Sequence, residues 1–430
     1  MPNPAPMDPS APSARTRVGS FRWSICSLLF FSVTINYVDR QIIGILKLPL
    51  SQQLGWSESD YASIAAAFQF AYAFGYLFGG RTMDWIGVKL GLPLSVVFWS
   101  LACAAHGLVR SVTGFMAARI GLGLSEGGNF PGAIKTVAEW FPAKERALAT
   151  GLFNAGSNVG AIVCPLVVPW MATAWGWQAT FFVTGGLGFL WIVAWALLYD
   201  NPEKHRRLSE TERSYIREGR PPAEAPAPTV PWLSILQYKA TWAYLIASVL
   251  AGPVWPFYLF FLPDFLQKRY HLALEQLGVP VAVFYLLASF GGIGGGWLSS
   301  FLIGRGWSVI LSRKLSLLIC ALCALPVFLA PTVSSLWLTV AIVGLAGSAH
   351  QGWSANLYTF VSDAMPKQAV SSVVGLGGFV AFVTGGFTSK LVGHILERTG
   401  SYATVFATAS LMYLSALLAL HLLVPRLERR

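Results

Sequence analysis

The chain has 430 residues, of which 55% are apolar and 11% charged, with mean hydropathy +0.57 and a formal net charge of +11. Soluble domains carry about 25% charged residues. A water-facing surface cannot be built from so few ions, which excludes a soluble enzyme, a disordered chain and a repeat solenoid. The 28 Phe and 17 Trp suit contact with lipid. The basic residues fall in loops rather than on a polar face interleaved with aromatics, so they set membrane topology and give no expectation of nucleic-acid binding.

Residues 1–22 are rich in Pro, Ser and Ala, carry Arg15, Arg17 and Arg22, and read as an N-terminal tail. The apolar run from Trp23 resembles a signal peptide, but no small-x-small cleavage site closes it. It continues past Asp39 to about Leu50, as a retained first span would. A span needs about 20 mostly apolar residues. Twelve stretches qualify: 23–46, 61–80, 90–109, 114–138, 147–171, 178–199, 240–262, 279–302, 315–331, 335–360, 369–393 and 402–424. The only long polar segment, 200–238, separates the sixth from the seventh. It reads as a charged surface helix (Glu203 to Arg220) followed by a Pro/Ala linker (Pro221 to Pro231). The expected fold is therefore an all-α polytopic membrane protein, with twelve transmembrane helices in two six-helix bundles. The bundles occupy 23–199 and 239–424, with a short tail at 425–430.

With both termini in the cytoplasm, the inside segments hold about 21 of the 30 Lys and Arg. The outside loops hold only Arg110, Lys268, Arg269 and Arg398. This bias places the protein in the plasma (inner) membrane with cytoplasmic termini. Glycine-rich stretches at 121–132, 151–160, 291–296 and 375–386 let helices approach closely. Pro253 and Pro256 interrupt the seventh span, as in a broken helix lining a cavity. The five cysteines lie in apolar stretches and read as packing thiols. Cys320 and Cys323 form a C-x-x-C without a second ligand pair, so no metal and no cofactor is expected.

Ions inside a bilayer are expensive and mark function. Asp39 and Arg40 fall about sixteen residues into the first span, near the midplane; Tyr37 shares the face of Arg40. Arg119 and Glu126 lie seven apart on one face of the fourth span. A guanidinium can clamp a carboxylate through two hydrogen bonds, and a buried carboxyl can take up and release protons near neutrality. Asp39 and Glu126 are thus candidate proton carriers and Arg40 a candidate anion clamp; a static ion-pair network is the bland alternative. The loop Gly80-Arg-Thr-Met-Asp84-Trp-Ile-Gly87-Val-Lys89 carries a G-x-x-x-D-x-x-G-x-K pattern, in which Gly87 suits a tight turn and Asp84 could cap a helix and be held by Arg146. No H-E-x-x-H occurs, so no enzyme is expected.

That loop resembles the signature of the major facilitator superfamily, and Gly156-Ser-Asn-Val-Gly160 with Pro165 resembles its glycine-proline motif. Asn36-Tyr-Val-Asp-Arg40-Gln41, the run Arg119 to Pro131 and Trp140-Phe-Pro-Ala-Lys-Glu-Arg146 resemble the anion:cation symporter family. Residues 151–161, Pro253-Val-Trp255 and His350-Gln-Gly-Trp-Ser-Ala-Asn356 are similar to its hexuronate branch. The resemblance implies the major facilitator fold and uptake of a monoanionic sugar acid with protons. It implies that Arg40, Tyr37 and Tyr72 bind the carboxylate, and that Asp39 and Glu126 carry protons with Arg119 as electrostatic partner. It also implies that Ser157, Asn158, Gln351, Trp353 and Asn356 contact hydroxyls. Expected partners are a small organic anion, protons and the bilayer, with a monomeric chain. Gly252 stands where relatives often have an acid before Pro-Val-Trp, serine replaces aspartate in Gly296-Trp-Leu-Ser-Ser300, and Trp85 replaces a basic residue. The leading expectation is a hexuronate such as glucuronate or galacturonate. An aldonate or other organic anion, or a sensor that binds without transporting, are the alternatives. His350 reads as a core histidine.

Overall fold

A computed structural model describes residues 19–218 and 232–425. Most of the N-terminal tail, the Pro/Ala linker and most of the C-terminal tail therefore lie outside the described residues. The first half comprises α1 (Phe21–Ile45), α2 (Lys47–Leu54), α3 (Glu58–Ile86), α4 (Val88–His106), α5 (Val112–Glu126), α6 (Asn129–Trp140), α7 (Ala143–Trp175) and α8 (Trp177–Leu198). Two short helices, α9 (Glu210–Glu218) and α10 (Trp232–Ile235), belong to the central segment. The second half comprises α11 (Lys239–Ala251), α12 (Val254–Tyr270), α13 (Leu274–Gly304), α14 (Val309–Ala324), α15 (Leu336–Ala364), α16 (Lys367–Thr399) and α17 (Ala403–Leu423).

Among the described residues, ten helical runs are long and apolar enough to cross a membrane, with α11 and α12 counted as one run. Two more crossings are made by helices too polar for that test. The α5–α6 pair carries Arg119, Glu126 and Lys135, and α15 carries His350, Gln351 and Asn356. Twelve crossings result, and an even number returns the chain to the side from which it started.

Local chemistry explains the punctuation. Ser57 and Asp60 form a reciprocal capping box that starts α3. Helix α3 then runs through most of the expected 80–89 loop, Gly80 included, and stops only at Gly87, whose φ of 75° a side chain would resist. The fourth crossing breaks at Gly127 and Gly128, directly after Glu126, where a continuous span was expected. A Cβ on Gly127 would lie 2.3 Å from the backbone of Gly75 and Tyr76, so α3 crosses there in backbone contact. Gly156 and Gly160 do the same for α7 against α1, each meeting a main-chain carbonyl at 2.4 and 2.5 Å.

The halves repeat one packing plan. In the first, α1 packs on α7, α3 on α5 and α4 on α8; in the second, α11 packs on α16, α13 on α15 and α14 on α17. Between halves, α3 lies against α16, α7 against α13 and α1 against α12. The central segment is anchored to the first half. Glu212 of α9 accepts from the Phe21 and Arg22 amides at 3.2 and 3.1 Å, capping α1, while Arg22 also pairs with Glu145 at 2.8 Å. The hydrogen bond from Arg22 holds the Glu145 carboxyl below the ordinary carboxylate range.

Among the described residues, hydrogen bonds across the seam lie at one end and in the middle. Far from the termini, Lys47 bonds Asp264 at 2.6 Å and Glu58 at 2.6 Å, and Lys268 pairs with Glu58 and, at 3.1 Å, with Asp264. Tyr402 donates to Asp264, and the Tyr61 hydroxyl donates to the Phe260 carbonyl at 2.6 Å. Thr173 donates to Glu275 at 2.8 Å. Lower down, Gln69 donates to Gly385 O and Ser389 Oγ at 3.1 and 2.6 Å. On the termini side, the polar contacts among the described residues stay within one half, such as Lys135 to Asp84 (2.8 Å), Lys89 to Asp200 (2.7 Å) and Arg313 to Asp363 (3.0 Å). The polar ties between the halves among the described residues are thus concentrated at the end far from the termini.

Candidate functional site: a buried charge cluster at the seam

The cluster begins with α1. Asn36 and Arg40 are one helical turn apart, and Asn36 Oδ1 accepts from Arg40 Nη2 at 3.0 Å. The guanidinium crosses to α5, where Nε and Nη2 both donate to Glu126 Oε2 at 3.2 and 3.1 Å. Aromatic rings enclose it: its carbon lies 4.3 Å from the Tyr72 centroid, 5.0 Å from Tyr37 and 5.3 Å from Phe68. Tyr72 marks the seam, because its ring lies 4.5 Å from that of Phe382 on α16.

Asp39 points elsewhere. It is fully buried inside the first bundle, where Oδ1 accepts from the Cys103 thiol at 3.4 Å, and that thiol in turn lies 3.4 Å from Thr184 Oγ1. Arg119 lies between the two carboxylates, fully buried, and donates to the Arg40 carbonyl at 3.3 Å. Among the described residues it forms no direct ion pair with either acid; Glu126 is bonded to Arg40 instead. Several atoms are buried without a protein partner: Asn36 Nδ2, Asp39 Oδ2, Glu126 Oε1 and the Nε and Nη2 of Arg119. Such groups cost about 1–3 kcal/mol each, so the cluster is costly and held by the surrounding fold.

The remaining expected residues divide. Ser157 is buried on α7 and donates back to Asn154 O at 2.7 Å; Asn158 and Gln351 are half-buried. Trp353 is turned into the second bundle, edge-on to Tyr413 at 5.4 Å. Asn356 is fully buried and spends its amide on Gly295 O and Gly352 O, both at 2.9 Å, tying α15 to α13. His350 stacks on Trp255 at 5.2 Å and bonds the Tyr413 hydroxyl at 2.8 Å. In the loop signature, Asp84 is exposed and paired with Lys135. Arg146 caps α6 through Phe141 O and Ala138 O at 3.0 and 3.2 Å rather than holding Asp84. Lys89 bonds Asp200 and draws its carboxyl below the usual range.

Sequence reasoning missed the far-end clasp. Lys47 was expected inside the first span, and the seventh span was ended at 262, short of Asp264. The i,i+4 spacing of Asp264 and Lys268 was the available signal. It also missed Cys103 and Thr184 beside Asp39, which carry no motif. No group of three or more metal-ligating side chains occurs among the described residues.

Known proteins agree with this architecture. The Major Facilitator Superfamily profile matches residues 29–389. A hexuronate transporter of Escherichia coli (strain K12) is 29% identical over 395 residues, covering 91% of each chain. A galacturonate transporter of Dickeya chrysanthemi is 32% identical over 304 residues, 70% of this chain and 88% of that one. In fold, the chain is similar to a bacterial homologue of the human lysosomal transporter Spinster in an inward-facing, unoccupied conformation. That match has a TM-score of 0.71 at 19% identity and covers 95% of this chain and 96% of that one. With its twelve crossings, its repeated bundle plan and a profile match over most of its length, the chain belongs to the Major Facilitator Superfamily, as a membrane transporter and not an enzyme.

Proposed function

We propose that this protein takes up a monoanionic sugar acid, a hexuronate such as glucuronate or galacturonate, together with protons. It does so as a monomer in the inner membrane with both termini in the cytoplasm. The single observation that carries the reading is the buried Arg40–Glu126 pair at the seam. Arg40 already holds an internal carboxylate, so a substrate carboxylate must compete with Glu126 for the same two N–H groups. A proton on Glu126 removes the competitor. Substrate and proton then bind cooperatively without touching.

Charge balance gives the same coupling. Asp39, Glu126, Arg40 and Arg119 sum to zero when all are ionised, and all are nearly or fully buried. Each proton taken up leaves one uncompensated positive charge in a medium where isolated charge is expensive. With one of the two carboxyls protonated a monoanion restores neutrality, and with both protonated it cancels one of the two excess charges. The second carboxylate of a dianion would need an exposed cation of its own to pair with, and the other intramembrane lysines lie elsewhere: Lys47 in the far-end clasp, Lys135 on Asp84 and Lys390 on the outer surface of α16. The relatives named for hexuronate and galacturonate support this substrate class.

In the cycle, the bundles 23–199 and 239–424 rock about the seam. Open to the outside, the site takes protons on Asp39 and Glu126, and the freed Arg40 receives the carboxylate between Tyr37 and Tyr72. Ser157, Asn158 and Gln351 meet the hydroxyls. Trp353 and Asn356 fix the shape of α15 without touching the sugar. Open to the cytoplasm, deprotonated Glu126 retakes Arg40 and expels the anion. The test is uptake of labelled glucuronate into proteoliposomes, with and without an inward proton gradient, with galactonate as cold competitor. Accumulation only with the gradient, weakly blocked by galactonate, supports the proposal. Strong block moves the substrate to aldonates. Ligand binding with no uptake refutes transport.

A further inference from the structure

A second site lies on the outer surface, on helices that also carry part of the charge cluster but lined by other residues. A groove of about 410 Å³ runs between α3, α5 and α16, lined by Ser63, Phe70 and Phe74, Met116 and Leu124, and Lys390, with alanines at its floor. Its lining is ordered from end to end. Ser63 stands five residues inside α3 and Met116 four inside α5, about 6–8 Å from those helix ends at 1.5 Å per residue. Lys390 stands nine residues from the far end of α16, about 13 Å. Helix α16, at 33 residues, is about 50 Å long, some 20 Å more than the hydrocarbon layer. A centred helix therefore places the Lys390 Cα about 3 Å inside the hydrocarbon boundary. From that rim, Phe70, Phe74 and Leu124 lead toward the midplane.

Lys390 is exposed there, is the only ionic group in the lining, and has no hydrogen-bond or ion-pair partner among the described residues. An ammonium at this depth extends to the headgroup layer, where an anionic phosphate is its natural partner. We propose that the groove binds one anionic glycerophospholipid of the leaflet far from the termini, with its phosphate on Lys390 and Ser63 and an acyl chain against Phe70, Phe74 and Leu124. Charge complementarity selects the headgroup, and the apolar descent selects the chain. Free phosphate satisfies only the polar end.

The position gives the lipid a role in the transport cycle. Two walls of the groove belong to opposite halves, joined by Phe70 on Phe387 (ring centroids 5.1 Å) and Phe74 on Phe379 (5.4 Å). A lipid bridging α3 and α16 is held when the far end is clasped and loses one wall when α3 and α16 part.

Native mass spectrometry of the detergent-released protein tests this with phosphatidylglycerol and phosphatidylcholine of equal chain length. The full chain is expected to retain one phosphatidylglycerol, at least fivefold over phosphatidylcholine. Lys390→Gln should erase that preference, Lys390→Arg should keep it, and Lys89→Gln, at an exposed lysine elsewhere, should leave it unchanged. Equal retention of the two lipids by the parent chain overturns the proposal. So does full phosphatidylglycerol retention by a folded, monodisperse Lys390→Gln variant.

Discussion

Replacing Asp264 by Asn should unlatch the far end of the molecule. Asp264 is fully buried and receives Lys47, Lys268 and Tyr402, so it bridges two ammonium groups drawn from both halves and balances their charge together with Glu58. Breaking a buried pair costs about 3–5 kcal/mol when a charge is left unpaired. Here Glu58 still reaches both lysines, and the open state hydrates them, so the closed state should lose about 1–3 kcal/mol relative to the open one. That is a shift of about 5- to 150-fold in the closed-to-open ratio. Spin labels on cysteines placed at exposed Ser59 and His271, on opposite halves at that end, report the change by pulsed electron resonance. The parent chain should show mainly the short distance, and Asp264→Asn a clear second population at longer distance. An unchanged distribution in a correctly folded variant would refute the latch.

Arg40→Lys keeps the charge but loses the planar fork, and should weaken glucuronate binding by about 10- to 100-fold, or 1.5–3 kcal/mol, as read by calorimetry. Glu126→Gln should abolish gradient-driven accumulation while preserving binding and exchange, checked in proteoliposomes. Asn356→Leu should lower the thermal midpoint through loss of its two inter-turn and interhelical bonds, about 1–3 kcal/mol, with glucuronate affinity unchanged. Glu145→Gln should also lower the midpoint at pH 7. Because Arg22 holds Glu145 below its ordinary value, that contribution is present above the unfolded carboxylate range and fades as pH falls through the lowered one. The difference between parent and variant should therefore vanish only in strong acid.

The crossings were legible because hydropathy alone selects segments that can meet lipid, and the four buried ions were legible because lipid makes each conspicuous. How those ions pair was not. Arg119 and Glu126 share a helix face by spacing and both turn toward α1, but only Glu126 meets the Arg40 guanidinium, while Arg119 meets the Arg40 carbonyl. Polar residues of α15 were legible as a cluster, but sequence does not say which side of a helix faces a neighbour. Asn356 faces α13 and Trp353 faces α17, where backbone carbonyls and Tyr413 await them. The loop signature was legible as a motif but its hydrogen bonds were not: Asp84 turns to Lys135 and Arg146 to the end of α6.

The exchange of Glu126 for substrate on Arg40 is tested most directly by glucuronate affinity as a function of pH, measured by calorimetry on the purified protein. If one proton must bind Glu126 before the anion can take Arg40, affinity should fall about tenfold per pH unit above the Glu126 titration. In Glu126→Gln it should be nearly flat. Affinity independent of pH in the parent chain, or the same slope in both proteins, would contradict the coupling.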